Sequence, residues 1–274
     1  MTAQIDPLLA RAQALKLHGL LAHWEAVATC PWLPPLIQWE EEERTQRSLQ
    51  RRLANAHLGR FKPLADFDWT WPKRVERAAV EELMSLAFVR EVSNAILIGP
   101  NGVGKTTIAR NIAYQAVLAG HTVRCTSAGQ MLNELAGADG DHALRQRLAS
   151  YARPRLLLID EIGYLSYSNR HADLLFEIVS RRYQEKSTLV TTNRPFAEWG
   201  DVFPNAACVV SLIDRLVHHA EIIAIEGESY RLKEAKEYAE QRRRQRAAPQ
   251  ITTPPTADSP TPGGPNVSPT HHPG

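Results

Sequence analysis

The sequence predicts an α/β fold of three layers, a mainly parallel five-stranded sheet with helices on both faces. Three observations predict it. Short runs rich in Ile, Leu and Val recur at 95–99, 121–127, 155–160, 187–192 and 220–226. Helical stretches at about 105–119, 129–136, 142–152, 172–186 and 205–219 separate them, and such alternation builds parallel sheets covered on both sides. A glycine-rich loop joins the first run to the first of these helices, and the third run ends in two adjacent carboxylates.

In chain order, residues 1–58 read as a small helical module. Asp6-Pro7 starts a helix, since Asp caps free N–H groups and Pro fits the first helical position. Leu8, Ala12, Leu15, Leu20, Leu21, Trp24 and Val27 give an apolar stripe. After a breaker over 31–35, a second helix pairs Glu40 with Arg44 and Glu43 with Arg47 in the favourable i,i+4 order. Residues 59–92 form a connector, with the aromatic run 67–72 and an amphipathic helix from Val75 to about Val89. The α/β domain is expected over 93–236. Residues 237–274 hold a basic helix end, Arg242-Arg243-Arg244 and Arg246, and then a tail with eight of the 18 prolines, one charged residue and no aromatic. That tail cannot offset its ordering entropy and is expected to be disordered.

Composition narrows the class. Lys+Arg is 32 against 30 for Asp+Glu, a net charge of +2 over 274 residues, which excludes a histone-like polycation and an acidic solvating chain. Cys30, Cys125 and Cys208 lie far apart without CxxC spacing, so no zinc knuckle or disulfide framework is expected. No apolar run approaches the ~20 residues of a membrane span, and the N-terminus lacks a leader pattern, so a cytoplasmic protein is expected.

The chemistry concentrates at the ends of the strands. Gly99-Pro100-Asn101-Gly102-Val103-Gly104-Lys105-Thr106 matches G-x-x-x-x-G-K-[ST] between a strand and a helix. Such a loop turns backbone N–H groups around phosphate oxygens, and the following helix N-terminus adds its dipole. Lys105 is placed to neutralise the β/γ-phosphates, Thr106 to put its hydroxyl on Mg²⁺, and Thr107 follows at the loop's edge. The strand 156–159 delivers Asp160 to hold Mg²⁺ through water, and Glu161 to polarise the water that attacks the γ-phosphate. Asn193 ends the strand 187–192; its amide can serve the γ-phosphate and the attacking water, or simply turn the chain before Arg194-Pro195. Arg215 lies on the helix before the last strand, as a finger toward a neighbouring subunit's γ-phosphate or as a solvated partner of Asp214. His218-His219 has no acid or Cys at ligand spacing and reads as surface.

Together with 172–176, 191–199 (TTNRPFAEW) and 213–232, these motifs resemble an AAA+ ATPase. More narrowly, the chain is similar to the IstB-like transposition helper ATPases of bacterial insertion sequences, relatives of the DnaC helicase loaders. The resemblance covers about residues 8–236. It implies ATP and Mg²⁺ as cofactors, assembly of a homo-oligomer on duplex DNA with ATP at subunit interfaces, and recruitment or activation of a partner transposase of the DDE type. It assigns Lys105 and Thr106 to Walker A, Asp160 and Glu161 to Walker B, Asn193 to sensor 1 and Arg215 to the arginine finger, and it puts Arg231 near sensor 2. Thr107 departs from the His frequent in relatives. Arg124, Arg145 and Arg147 are the candidate phosphate contacts on DNA, and no base-reading motif is present. The alternatives are a DnaC-like loader binding single-stranded DNA and a metabolic P-loop kinase. Against the kinase stand Asn193 and the adjacent Asp160-Glu161 pair, which serve activation of water.

Overall fold

The computed structural model describes residues 6–164, 167–204 and 206–247. Its elements are α1 Pro7–Ala14, α2 His18–Ala22, α3 Trp24–Val27, α4 Leu33–Ala56, α5 Arg77–Met84, α6 Ala87–Arg90, β1 Asn94–Ile98, α7 Lys105–Leu118, β2 Val123–Ser127, α8 Ala128–Ala136, α9 Gly140–Ala152, β3 Leu156–Ile162, α10 Asn169–Arg182, β4 Ser187–Thr192, α11 Trp199–Val202, α12 Ala206–Val217, β5 Ala220–Ala224 and α13 Tyr230–Ala247. The five strands form one parallel sheet in the order β2-β3-β4-β1-β5. The chain divides into two compact units, Met1–Leu232 and Lys233–Gly274. The proline-rich tail expected to be disordered lies outside the described residues.

Central parallel strands are covered on both faces: β1 and the first four residues of β3 are largely apolar, whereas β4, Ser-Thr-Leu-Val-Thr-Thr, is buried along its whole length with four hydroxyl residues. Alternate residues feed two cores. On one face Ala95, Leu97, Leu156, Leu158 and Leu189 meet the α7 residues Ile108, Ile112 and Val117. On the other, Ile96, Leu157, Ile159 and Val190 meet Met131, Leu175, Ile178 and Leu212. Since β1, β3 and β4 all point their C-termini the same way, the loops after them share one edge of the sheet. That edge carries the site.

The N-terminal helices differ from the periodic reading. The apolar stripe of 8–27 is split into α1, α2 and α3, and Lys16 carries a left-handed φ of 53° at the first break. Pro34 and Pro35 do not break the chain; they sit in the first turn of α4, where a missing N–H costs nothing. Ala12, Leu15, Leu33 and Ile37 make a small core of their own, while Leu49, Leu53 and Ala56 at the other end of α4 join the core under α7. Trp32, Leu36 and Trp39 remain exposed on the outer part of α4. The helix expected over 75–89 is likewise two, α5 and α6, parted at Leu86 with φ 62°. Buried Leu86 ties the break to the core and outweighs its left-handed backbone.

Arg182 ends α10 nearly fully buried, at 1% exposure. Its guanidinium donates to the carbonyls of Tyr151, Ala152 and Pro154 at 2.9–3.1 Å, to Thr188 Oγ1 and to the Ser187 carbonyl. The carbonyls of Tyr151 and Ala152 are ones that the end of α9 leaves without intrahelical partners, so one cation closes a helix end onto the start of β4.

Candidate nucleotide site

Residues 99–104 leave β1 and turn into α7 with no side-chain cap on the helix. Gly102 and Gly104 have φ of 82° and 98°, where only glycine sits without strain. Both positions are also pressed by neighbours. A Cβ on Gly104 would lie 2.4 Å from the Phe67 ring, and one on Gly102 would lie 2.2 Å from Ser229 Oγ. The loop's inner surface is therefore bare backbone, the form a phosphate cradle requires.

Lys105 is 8% exposed and donates to the carbonyls of Gly99 at 2.6 Å and Pro100 at 2.7 Å. Burial pulls its ammonium pKa down to about 8; Asp160 and Glu161 work against that fall, and Arg231 adds to it. Thr106 donates to Asp160 Oδ1 at 2.9 Å. The loop after β1 and the end of β3 thus meet in one hydroxyl–carboxylate contact, although 54 residues separate them. Pro100, Asn101 and Val103 complete the loop, and Thr107 lies in the first turn of α7, where its carbonyl accepts from Asn111.

β3 runs on through Glu161 to Ile162, past the expected strand end. Its register against β4 shifts there: Ile159 pairs with Val190 and Ile162 with Thr192, so β3 carries one extra residue. Glu161 takes φ 63°. Asp160 is nearly buried at 7% exposure, and Glu161 is exposed. Asn193, just past β4, has a buried Oδ1 without a hydrogen-bond partner. A buried acceptor of this kind calls for a donor.

A polar cavity of about 530 Å³ opens beside the carboxylates, lined by Thr106, Asp160, Glu161, Arg231 and Arg124, while Lys105 and Asn193 are not among its lining residues. It also includes His57, the left-handed residue that ends α4, and Arg110, whose guanidinium lies 3.9 Å from Asp160 Oδ2. The sequence pointed to neither: His57 ends a helix that carries no motif, and Arg110 lies on α7 beyond the last residue of the phosphate-loop motif. A second missed residue type is Thr191, buried on β4 and hydrogen-bonded to both Asp160 and the Glu161 backbone. In sequence it opens the stretch 191–199, but nothing there tells it from the other β-branched residues of the strand.

The Mg²⁺ assignment can be tested on these groups. Among the described residues no three His, Cys, Asp or Glu side chains gather to hold a metal. One carboxylate beside one hydroxyl is the donor set for a Mg²⁺ ion that keeps its waters and binds chiefly through phosphates. Thr106 and Asp160 fit that ion.

Arg215 is not brought to this cavity. The carbonyls of Arg215 and Leu216 accept from Asn94 Nδ2, at the start of β1. β1 then runs from Asn94 to Ile98, about 13 Å at 3.3 Å per residue, before the loop begins. The guanidinium stacks 4.4 Å from the centre of the Phe176 ring and donates to Ser180, both on α10. His218 hydrogen-bonds Tyr183 at 3.0 Å, on the same side. The three arginines marked for DNA also part company. Arg124 stacks 3.7 Å over Tyr151 and lies 3.6 Å from Glu134 inside the cavity wall. Arg147 donates to the Glu134 carbonyl. Arg145 stays on the exposed face of α9, with His142 and Arg153 along a shallow groove.

Comparisons with known proteins agree with this geometry. The sequence profile of the IstB-like ATP binding proteins matches residues 8–238. The chain is 40% identical over 200 residues to the insertion sequence IS21 ATP-binding protein of Pseudomonas aeruginosa, covering 73% of this chain and 76% of that one. It is 33% identical over 201 residues to the insertion sequence IS5376 ATP-binding protein of Geobacillus stearothermophilus, covering 73% and 80%. Among solved structures, the crystal structure of DnaI superposes with a TM-score of 0.53 at 19% identity, over 62% of this chain and 93% of that one. That likeness concerns the fold. With a phosphate loop and a carboxylate strand end held in contact, and a family profile spanning nearly all of the described chain, the protein belongs to the IstB-like ATP-binding family and is a P-loop ATPase.

Proposed function

We propose that this ATPase assembles on duplex DNA with little sequence preference, and that its nucleotide state controls recruitment or activation of a DDE-type transposase. The observation that carries the reading is the placement of Arg215. It sits at the opposite end of the sheet from Lys105 and is bound to α10, so it cannot serve its own nucleotide. A complete site then needs a second copy. The relatives' description as insertion-sequence ATP-binding proteins supports the transposition context.

In this reading the 99–104 backbone and Lys105 hold the β/γ-phosphates, and Lys105 exchanges its two carbonyl partners for phosphate oxygens. Mg²⁺ held by Thr106 and Asp160 would supply charge neutralisation at those oxygens. Glu161 takes a proton from the attacking water, Asn193 accepts a hydrogen bond from that water and donates its amide to the γ-phosphate, and Arg231 faces the cavity that Thr106, Asp160 and Glu161 line. Arg215 of a neighbouring copy brings its guanidinium to the γ-phosphate, so hydrolysis alters the interface between subunits. Phosphate contacts with DNA rest chiefly on Arg145, which is exposed and, among the described residues, bonded only to the Asp141 carbonyl one turn back on its own helix, whereas Arg124 and Arg147 are held by Tyr151 and Glu134.

The test is fluorescence anisotropy with labelled duplex and single-stranded DNA, each with ATP and without nucleotide, and mass photometry of the same samples. ATP-dependent cooperative binding to duplex with growth of large assemblies is expected. Preference for single strands without growth on duplex would replace this reading with a helicase loader.

A further inference from the structure

Two adjacent carboxylates on a regular strand point to opposite faces of the sheet. Asp160 and Glu161 therefore cannot both serve one phosphate group unless the strand is deformed. The deformation is present: β3 gains one residue against β4 between Ile159 and Ile162, and Glu161 lies in the left-handed region at φ 63°, which a side chain other than glycine adopts only when the surroundings hold it there. The bulge also takes the Glu161 N–H out of the ladder, and that group needs another acceptor.

Thr191 supplies it. Opposite the bulge and fully buried, its Oγ1 accepts from the Glu161 N–H at 2.9 Å and donates to Asp160 Oδ1 at 2.5 Å. The two bonds fix the direction of the hydroxyl proton, which must go to the carboxylate because the N–H occupies the acceptor side. Thr106 donates to the same Oδ1, so Oδ2 is the oxygen left facing Arg110 and the cavity. One hydroxyl thereby sets both the orientation of Asp160 and the backbone of Glu161.

We infer that Thr191 is a positioning residue of the ATPase site, whose hydroxyl holds the bulge that aims Asp160 at the Mg²⁺ position and Glu161 at the attacking water. The inference rests on the assignment of those two carboxylates. It differs from a packing role in one respect: the hydroxyl matters and the methyl does not.

Thr191→Val removes the hydroxyl at constant shape, and Thr191→Ser keeps it. Binding of a fluorescent ATP analogue is measured in EDTA and again with Mg²⁺, followed by ATP turnover. In EDTA, Thr191→Val is expected to bind within about twofold of wild type, since the 99–105 loop is untouched. The tightening produced by Mg²⁺ is expected to shrink about tenfold, and kcat to fall about a hundredfold. Thr191→Ser is expected to stay within about threefold of wild type in both. Should the Val variant not fold, Thr191→Ala against Thr191→Ser makes the same comparison. Wild-type Mg²⁺ tightening and turnover in Thr191→Val would overturn the inference, and so would equal losses in Val and Ser. If wild type itself shows no tightening with Mg²⁺, the Asp160 assignment fails and takes this inference with it.

Discussion

Lys105 makes the phosphate loop sensitive to pH in a window where few other groups titrate. Its pKa of about 8, against an ordinary 10.5, arises mainly from burial, and the gap corresponds to about 3 kcal/mol disfavouring the charged form. In the proposed mechanism ATP replaces two carbonyl partners with anionic oxygens and restores the charge, so binding is expected to take up a proton wherever the free protein has lost it. At pH 7 uptake is small, about a tenth of a proton; at pH 8 it is about half, and at pH 9 nearly one. ATP affinity is therefore expected to weaken above pH 8, approaching tenfold per unit. The folded free protein responds in the opposite sense. A lysine whose folded pKa is depressed leaves the unfolded chain holding more protons between about 8 and 10.5, so stability without nucleotide gains from this group as pH rises through that window. Isothermal titration of ATP at pH 7.5–9.5, in buffers of differing ionisation enthalpy, reads the uptake directly, and thermal melts with and without ATP read the opposing trends. A flat affinity with buffer-independent enthalpy would refute the buried, depressed lysine.

Three further outcomes are expected. Asn193→Ala should lower turnover about a hundredfold while ATP affinity changes only a few-fold, because in the proposed mechanism the amide, whose buried Oδ1 has no protein partner, acts on the water and the developing charge; steady-state kinetics beside equilibrium binding checks it. Arg182→Met should cost about 3–5 kcal/mol in denaturant unfolding, since it strands several buried carbonyls and a hydroxyl that the guanidinium satisfies. Arg215→Ala and Lys105→Ala should each abolish hydrolysis alone, yet an equimolar mixture should recover about a quarter of wild-type activity if sites form between copies by a head-to-tail contact. No recovery on mixing, in samples shown to co-assemble, would remove the finger role from Arg215.

What could be read from the sequence is what is local to it. The phosphate loop, the strand ending in Asp160-Glu161 and the alternation of strands with helices are each encoded within a dozen residues, and all lie where expected. Features that depend on distant partners could not be read. Leu86 breaks a helix because its side chain is drawn into the core, against its backbone preference. Arg182 carries the composition of a solvated helix end and is buried, because α9 and β4 present it with carbonyls from 28 to 31 residues upstream and five downstream. Arg124 reads as a free cation on a strand, but Tyr151 and Glu134 on the two following helices claim it. Thr191 gains its place only from the bulge in the neighbouring strand.

The same reasoning bears on how α7 is held, since the helix that follows the phosphate loop is gripped along its length by segments far from it in sequence. Arg110 donates to the Arg60 carbonyl, and buried Asn111 accepts from Leu64 N–H and donates to the Lys62 carbonyl. Phe67 rests against Gly104, and residue 74 exchanges backbone hydrogen bonds with residue 226. Tyr230 N–H donates to the Gly102 carbonyl from the other side. The loop is thus pinned by residues 60–74 and 225–230, both outside the motif that identifies it. The first of these segments continues directly from α4, whose C-terminal turn packs in the α7 core and whose N-terminal turn closes the small helical core beside exposed Trp32 and Trp39. A continuous helix 24 residues long transmits displacement with little bending. Its C-terminal end leads into His57, which with Arg110 of α7 lines the cavity beside Asp160.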